Sequence, residues 1–406
     1  MKVDHDIIIA GGGLVGMAFA LVAAKENFRV LVADDSPAAI NRVFDGRAFA
    51  LTLSSCRLLG SLGMSDFLRT KCQEIRAIRI SEGSAYGGAD PVALGFDSAE
   101  IETGPMGLMV EDRHLHATLR QCVESCTDRI RWLSRRLTEV KLEDFCVKAT
   151  DSHGNLHAAR MIVGCDGRDS LVARAAGMTW NEKEYHQSGL VCAVRHEKPH
   201  EGIARQFFMP SGPLAILPLT GNRSSLVWTM HHPEGKRLAS LGDDDFLRAL
   251  RAPFGDCLGD ISLIGTRASF PLTLSLATHL VAPRAALLGD SAHGLHPLAG
   301  QNLNLGLRDV ASLAEILGTA ARRGEDIGAI NVMERFQRWR RFDIAAFAVV
   351  TDGFNWLFSN ADPTLRMLRT GGMAALQRLP AVRRSIIRAA AGLHADLPKA
   401  MEGQSF

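Results

Sequence analysis

The chain opens with an apolar run, Asp6-Ile7-Ile8-Ile9-Ala10, that breaks into Gly11-Gly12-Gly13-Leu14-Val15-Gly16 and then takes up helical periodicity to Lys25. A second apolar run, Arg29 to Ala33, follows and ends on Asp34. Strand, glycine turn, helix and strand in that order make a βαβ unit, which commits the chain to a parallel sheet with helices on its faces. Gly11-x-Gly13-x-x-Gly16 occupies the turn. Without Cβ atoms the backbone can approach a pyrophosphate, and the helix tip at Leu14 and Val15 offers its amides and positive dipole end to the anion. Asp34 lies roughly 20 residues beyond the loop, where an acid holds ribose hydroxyls and repels a 2′-phosphate. The unit predicts a dinucleotide, with FAD and NAD both open. A glycine turn without a ligand is the plainer reading, and the joint presence of strand, helix and acid argues against it.

Two more strand ends carry glycine and aspartate: Ile162-Val163-Gly164-Cys165-Asp166-Gly167, and Leu287-Leu288-Gly289-Asp290. Three such ends imply one long ligand that meets the sheet edge repeatedly. Between them, Leu190–Val194, Ile203–Phe208, Leu214–Leu219 and Ser224–Met230 are short runs rich in Val, Ile, Phe and Trp, predicting an inserted antiparallel sheet. From Arg308 onward the pattern is helical. Lys+Arg 46 against Asp+Glu 44 gives +2, which excludes the basic field that nucleic acid binding requires. The eight cysteines form no CxxC pair, which suits a reducing compartment. The amino terminus lacks the build of a secretory signal, and no run is long and apolar enough to span a bilayer. A cytoplasmic protein is expected. His293-x-x-His296, His231-His232 and Cys122-x-x-x-Cys126 are isolated pairs without completing ligands nearby, so no metal is expected.

Taken together, Gly11-x-Gly13-x-x-Gly16, Asp166-Gly167, Gly289-Asp290-Ser291-Ala292-His293 and His296-Pro297-x-Ala299-Gly300-Gln301 resemble the FAD-dependent aromatic-ring hydroxylases, the class A flavoprotein monooxygenases. Within them the chain is similar to the ubiquinone-biosynthesis hydroxylase family. Asp45 to Leu51 (DGRAFAL), Gly212 to Leu219 (GPLAILPL), Leu303 to Val310 (LNLGLRDV), Arg335 to Asp343 (RFQRWRRFD) and Ala395 to Lys399 (ADLPK) carry that closer likeness. The resemblance implies an α/β fold: a Rossmann-like FAD-binding domain (1–75, 105–180 and 275–330), an inserted antiparallel β-sheet substrate domain (76–104 and 181–274), and a helical C-terminal region (331–406). It gives Asp34 the adenosine ribose, sets Arg47 and Arg113 along the sugar and phosphate chain, and gives Asp290 the ribityl or pyrophosphate portion. Asp166 and Gly167 serve a loop that flavin and nicotinamide both meet. Gly289 turns the third loop, and Pro297, Gly300, Gln301, Asn302, Leu303 and Asn304 run beside the isoalloxazine.

Reduced flavin spreads negative charge over N1 and the C2 carbonyl. Amides of Asn302, Leu303 and Asn304 at the start of a Leu303-to-Leu317 helix would hold that charge without a titratable group. Two departures from the family pattern stand out. Asn302 replaces a usual Gly, which a left-handed backbone there would tolerate. Ala173 stands where the family has Arg, with Arg174 one place later and rotated by about 100° on a helix.

The resemblance implies hydroxylation of the ring of a polyprenylated phenol with NAD(P)H and O2, by way of a flavin C4a-hydroperoxide. Pro297, His293 and His296 are the catalytic candidates, a turn-capping role being the plainer one for the histidines. Phe207, Phe208, Leu214, Ile216 and Trp228 are candidates for the substrate wall, or else ordinary sheet core. Ala345 to Phe358 and Arg383-Arg384-x-x-x-Arg388 are expected to touch a membrane surface or a biosynthetic complex, or else to be a packed helix beside solvated charges. A monomer and a homo-oligomer are both compatible. A flavin reductase that inserts no oxygen, or a flavin-binding scaffold, are the rival functions.

Overall fold

The computed structural model describes residues 3–36, 44–84, 88–89, 94–101, 104–209, 212–294, 301–358, 371–372, 375–393 and 396–404. In chain order the principal elements are β1 (His5–Ala10), α1 (Leu14–Lys25), β2 (Val30–Ala33), β3 (Ala48–Thr52), β4 (Ala77–Ser84), β5 (Gly107–Glu111), α2 (Asp112–Ser125), β6 (Ile130–Leu133), β7 (Leu156–Gly164) and α3 (Leu171–Ala175). There follow β8 (Trp180–His196), β9 (Ile203–Met209), β10 (Gly212–Leu219), β11 (Arg223–His231), α4 (His232–Ser240), α5 (Asp243–Phe254), β12 (Ile261–Ala277), β13 (Ala285–Leu287), α6 (Asn302–Arg322), α7 (Ile330–Phe358) and α8 (Pro380–Ala390).

Five parallel strands in the order β6-β2-β1-β7-β13 form the core of the first, eight-stranded sheet, which Leu137–Leu142 and Val147–Asp151 extend antiparallel beside β7, with Val281–Ala282 pairing antiparallel to β13. Ile7, Ile8 and Ile9 are fully buried on both faces of β1, as a strand covered by helices on either side requires. Helices α1 and α6 pack together over this sheet, and Met17, Phe19, Val310 and Leu313 fill the space between. All three glycine-aspartate loops leave the carboxyl ends of these strands, the place where open parallel sheets bind ligands.

The second sheet runs β12-β8-β11-β10-β9-β4, with His293–Gly294 added at the β12 edge. Its pairings are antiparallel except between β9 and β4, where Ile203 to Phe208 pair in parallel with Ala77 to Glu82. The runs expected to form the antiparallel sheet do pair antiparallel, and β4 joins their edge in parallel. The physical reason is that β4 arrives from the first domain rather than through a hairpin, so nothing obliges it to reverse.

Strand alternation divides this sheet into two faces. Leu190, Phe207, Leu214, Ile216, Leu226 and Trp228 lie on one, under Leu238, Phe246, Leu250 and Phe254 of α4 and α5. The intervening residues face the other way, where the Ser225 hydroxyl donates to the Gly46 carbonyl at 3.1 Å and Phe208 clusters with Ala48 and Ala50. That inner face meets the short antiparallel pair β3–β5, to which Ala48 and Ala50 belong.

Helix α7 packs on α6 through a side that includes Phe336 and Arg340, both fully buried. Its outer side carries Phe342, Val349 and Trp356 at 78%, 72% and 64% exposure. None of the helices searched among the described residues is long and apolar enough to cross a membrane.

Candidate active site

The first loop is shaped by backbone crowding. Gly11 has φ +95°, and a Cβ there would lie 2.3 Å from the carbonyl oxygen of Cys165. The Cys165 amide donates to the Ala10 carbonyl at 2.7 Å, so the first and second loops are laid against each other at the backbone. At Gly13 a Cβ would meet nothing within 4 Å, and no side chain caps α1, whose first amides face that space. Asp34 accepts from the Gly12 amide and, at 2.6 Å, from the Ser36 amide. This sets its carboxylate beside the loop. Trp132, from the end of β6, lies against Gly12, with the Arg120 guanidinium 3.6 Å over its ring. Sequence reasoning missed Trp132, because only the β2–β6 pairing brings it to the loop.

The second and third loops are stitched by side chains. Asp166 accepts from the Leu171 amide at 2.7 Å and from the Ser291 hydroxyl at 3.2 Å, so its carboxylate tethers α3 and the third loop. Gly167 adopts φ +78° and Gly289 φ +59°. Val15, on the first turn of α1, packs against both Gly289 and Gly306 and so joins the first loop to the third. Asp290 is exposed, and among the described residues it has no hydrogen bond or ion pair. Its carboxylate is available to sugar hydroxyls, unlike that of Asp166.

Helix α6 begins at Asn302, one residue before the expected start, and among the described residues no side chain caps it. The amides of Asn302, Leu303 and Asn304 therefore stand at an uncapped helix tip. Asn302 has an ordinary helical backbone and is not among the residues with positive φ. The condition under which asparagine would be a favoured substitute, a left-handed backbone, does not arise, because the position lies inside the helix. Asn304 is consumed as a stitch, accepting from the Thr52 amide at 2.9 Å and donating to the Ala50 carbonyl at 2.7 Å. Gln301 accepts from the Asn304 side chain at 3.1 Å. His296, Pro297 and Gly300 lie outside the described residues.

His293 is buried, with Nε2 2.6 Å from Asp309 Oδ2. Asp309 Oδ1 in turn accepts from Arg340 Nε at 2.8 Å. Burial alone would raise the Asp309 carboxyl, yet the adjacent His293 and Arg340 hold it below the ordinary carboxylate range. This geometry makes His293 part of the frame that holds the loop. Ala173 is also fully buried, and its amide caps onto the Ser170 hydroxyl at 3.1 Å, while Arg174 is exposed. Arg174 therefore does not occupy the place an arginine at 173 would take.

Arg47 pairs with Asp45 at 2.7 Å and Asp112 at 3.4 Å. Arg113 donates to Glu111 at 2.8 Å and lies over the Phe44 ring, and Arg223 from the second sheet reaches the same carboxylate at 2.7 Å. The predicted arginines thus stand where the β3–β5 pair meets the second sheet, each beside carboxylates. Glu111 and Arg223 were not legible as site residues, since nothing local joins positions so far apart.

Four of the five candidates for the substrate wall are corrected. Phe207, Leu214, Ile216 and Trp228 form the core between the second sheet and α4 and α5, facing away from the loops. Only Phe208 lies on the inner face. Alternation of adjacent residues separates Phe207 from Phe208, and the two amphipathic helices that follow β11 cover the first of them.

Residues 4–328 match the family model described as FAD binding domain, and residues 269–400 match that of squalene epoxidase. The chain is 39% identical over 403 residues to ubiquinone hydroxylase UbiL of Rhodospirillum rubrum, covering 98% of this chain and 92% of that one. This chain belongs to the FAD-dependent aromatic hydroxylases, in the ubiquinone-hydroxylase family. It is 32% identical over 392 residues to 3-demethoxyubiquinol 3-hydroxylase of Escherichia coli, covering 96% of this chain and 98% of the relative. The fold is that of p-nitrophenol 4-monooxygenase PnpA from Pseudomonas putida, with a TM-score of 0.80 at 19% identity over 97% of this chain and 99% of the other. The hydroxylase is an FAD-dependent monooxygenase. The residues fit FAD: among the described residues an open uncapped helix tip over Gly13, an Asp290 carboxylate without a partner and a second uncapped tip at Asn302.

Proposed function

We propose that this hydroxylase adds an oxygen atom to the aromatic ring of a polyprenylated phenol on the route to ubiquinone, using NAD(P)H and O2. The observation that carries the reading is the end-to-end likeness to ubiquinone hydroxylases, which extends through the inner face of the second sheet and the carboxyl-terminal helices. When bound, FAD supplies hydride acceptance and oxygen activation. The chain supplies the rest.

In this reading the tip of α1 binds the pyrophosphate, Asp34 the adenosine ribose with Trp132 alongside, and Asp290 the ribityl or pyrophosphate portion. The amides of Asn302, Leu303 and Asn304 face the electron-rich end of the ring, where fixed dipoles stabilise charge without reorganising. Arg47 and Arg113, held by Asp45, Asp112 and Glu111, close the sheet junction beside the phosphates. The substrate lies against Val191, Ala215, Val227 and Phe208 on the inner face. Val191 and Ala215 both pair with Val227 across the sheet, making an apolar surface that excludes water and orients the ring. Pro297 and His296 remain the catalytic candidates. The two sheets and α7 support the proposed division into flavin, substrate and carboxyl-terminal regions. The exposed side of α7 supports a peripheral contact with the bilayer that holds such a phenol.

The test is turnover of FAD-loaded protein with polyprenyl phenols and NADH or NADPH under 18O2. One 18O atom in the product ring supports the proposal. Consumption of NAD(P)H without labelled product, for every phenol offered, overturns it in favour of a reductase or a scaffold.

A further inference from the structure

A buried chain of charges runs from the third loop into the carboxyl-terminal region. Asp309, on the second turn of α6, receives the Gly289 amide at 3.2 Å and His293 Nε2 at 2.6 Å on one oxygen. Its other oxygen takes Arg340 Nε at 2.8 Å. Arg340 Nη1 continues to Asp343 at 2.6 Å, and Asp343 meets Arg308 at 3.1 Å. Arg340 is completely buried, and it lies beyond residues 4–328 that match the FAD binding domain. A buried guanidinium loses its hydration, so it persists only because two carboxylates hold it in a fixed direction. The same Asp309 fixes both ends of the segment Gly289–His293, and the exposed Asp290 lies between those ends.

We propose that Arg340 is a positioning residue for the flavin site: by clamping Asp309 it sets the Gly289–His293 loop and its Asp290, so that FAD affinity depends on helix α7. This rests on the reading that Asp290 meets FAD. A purely structural anchor would change stability and leave flavin binding as it was. A clamp changes the flavin's environment even where the protein stays folded.

The test is FAD titration of apo-protein by fluorescence, with the visible circular dichroism of the bound flavin. Both are read at a temperature where each variant's far-ultraviolet signal is native. Arg340→Met is expected to raise the FAD Kd by about tenfold or more and to alter the flavin dichroism. Arg340→Lys, which keeps the charge but cannot serve Asp309 and Asp343 with two rigid N–H groups, is expected to raise Kd by about threefold. Arg341→Met, at an exposed neighbouring position, changes neither signal. Should Arg340→Met fail to fold, Arg340→Lys decides. Folded Arg340 variants that bind FAD within about twofold of wild type, with unchanged dichroism, overturn the inference. Asp290→Ala separates the two readings: normal FAD binding in that variant refutes the role of the loop, and the clamp with it. Weakened binding there beside normal binding in the Arg340 variants refutes the clamp alone.

Discussion

In the proposed reading the loops at Gly11–Gly16 and at Gly289–His293 meet one ligand with similar chemistry, and different forces build them. The first is set by local backbone: a positive φ at Gly11, carbonyl contact with Cys165, and an acid at the end of the next strand. The third is set by charges brought from far along the chain, with Asp309 of α6 and Arg340 of α7 enclosing it. Local geometry tolerates no added atom but needs no distant partner. A charge clamp tolerates small steric change and fails when either partner is lost.

Gly11→Ala would break the first half of that contrast most severely. Its Cβ meets a backbone carbonyl that cannot rotate away, and φ is +95°. A loss of more than about 4 kcal/mol is expected, read as a protein that neither retains FAD nor melts cooperatively. Asp309→Asn tests the second half. It leaves Arg340 buried beside a neutral group, and a loss of about 3 to 5 kcal/mol in denaturant unfolding is expected. The sign with pH follows from the depressed Asp309 carboxyl. Its stabilisation is complete above the unfolded value of about 3.9 and is lost as pH falls through the lower folded value. Wild type should therefore lose stability on the acid side through this group, and the Asn variant should lack that part of the slope.

Asp34→Ala sharpens the comparison because, in the proposed reading, the acid holds the adenosine ribose. Its FAD Kd should rise by about 10- to 100-fold, the loss of one or two charge-assisted hydrogen bonds. The smallest effect belongs to Asn302→Gly. A helical φ gains nothing from glycine, and a stability loss under about 1 kcal/mol is expected, measured by thermal unfolding.

What was legible in the sequence followed the same division. Gly11, Gly13, Gly16 and Asp34 announce themselves within one βαβ unit, because their roles depend on neighbours a few residues away. The loops at Asp166 and Gly289 could also be read as strand ends. That Asp166 would cap α3 rather than stay free was not visible, since Ser291 reaches it only in the fold. Phe207 and Phe208 showed that one of them must face inward. Which one depends on where α4 and α5 settle, and the amphipathic stretch after His231 was the available signal. Arg340 looked like one more cation on an arginine-rich helix, and only tertiary packing distinguishes it from exposed Arg341. Trp132 and Arg223 enter for the same reason, through strand pairing and sheet docking.

The most direct measurement is a crystal structure of the hydroxylase with FAD bound. The account predicts pyrophosphate oxygens on the first amides of α1, and the flavin C2 carbonyl about 2.7 to 3.2 Å from an amide of Asn302, Leu303 or Asn304. A flavin ring seated against α4 and α5, or anywhere that leaves the tip of α6 facing solvent, would contradict it.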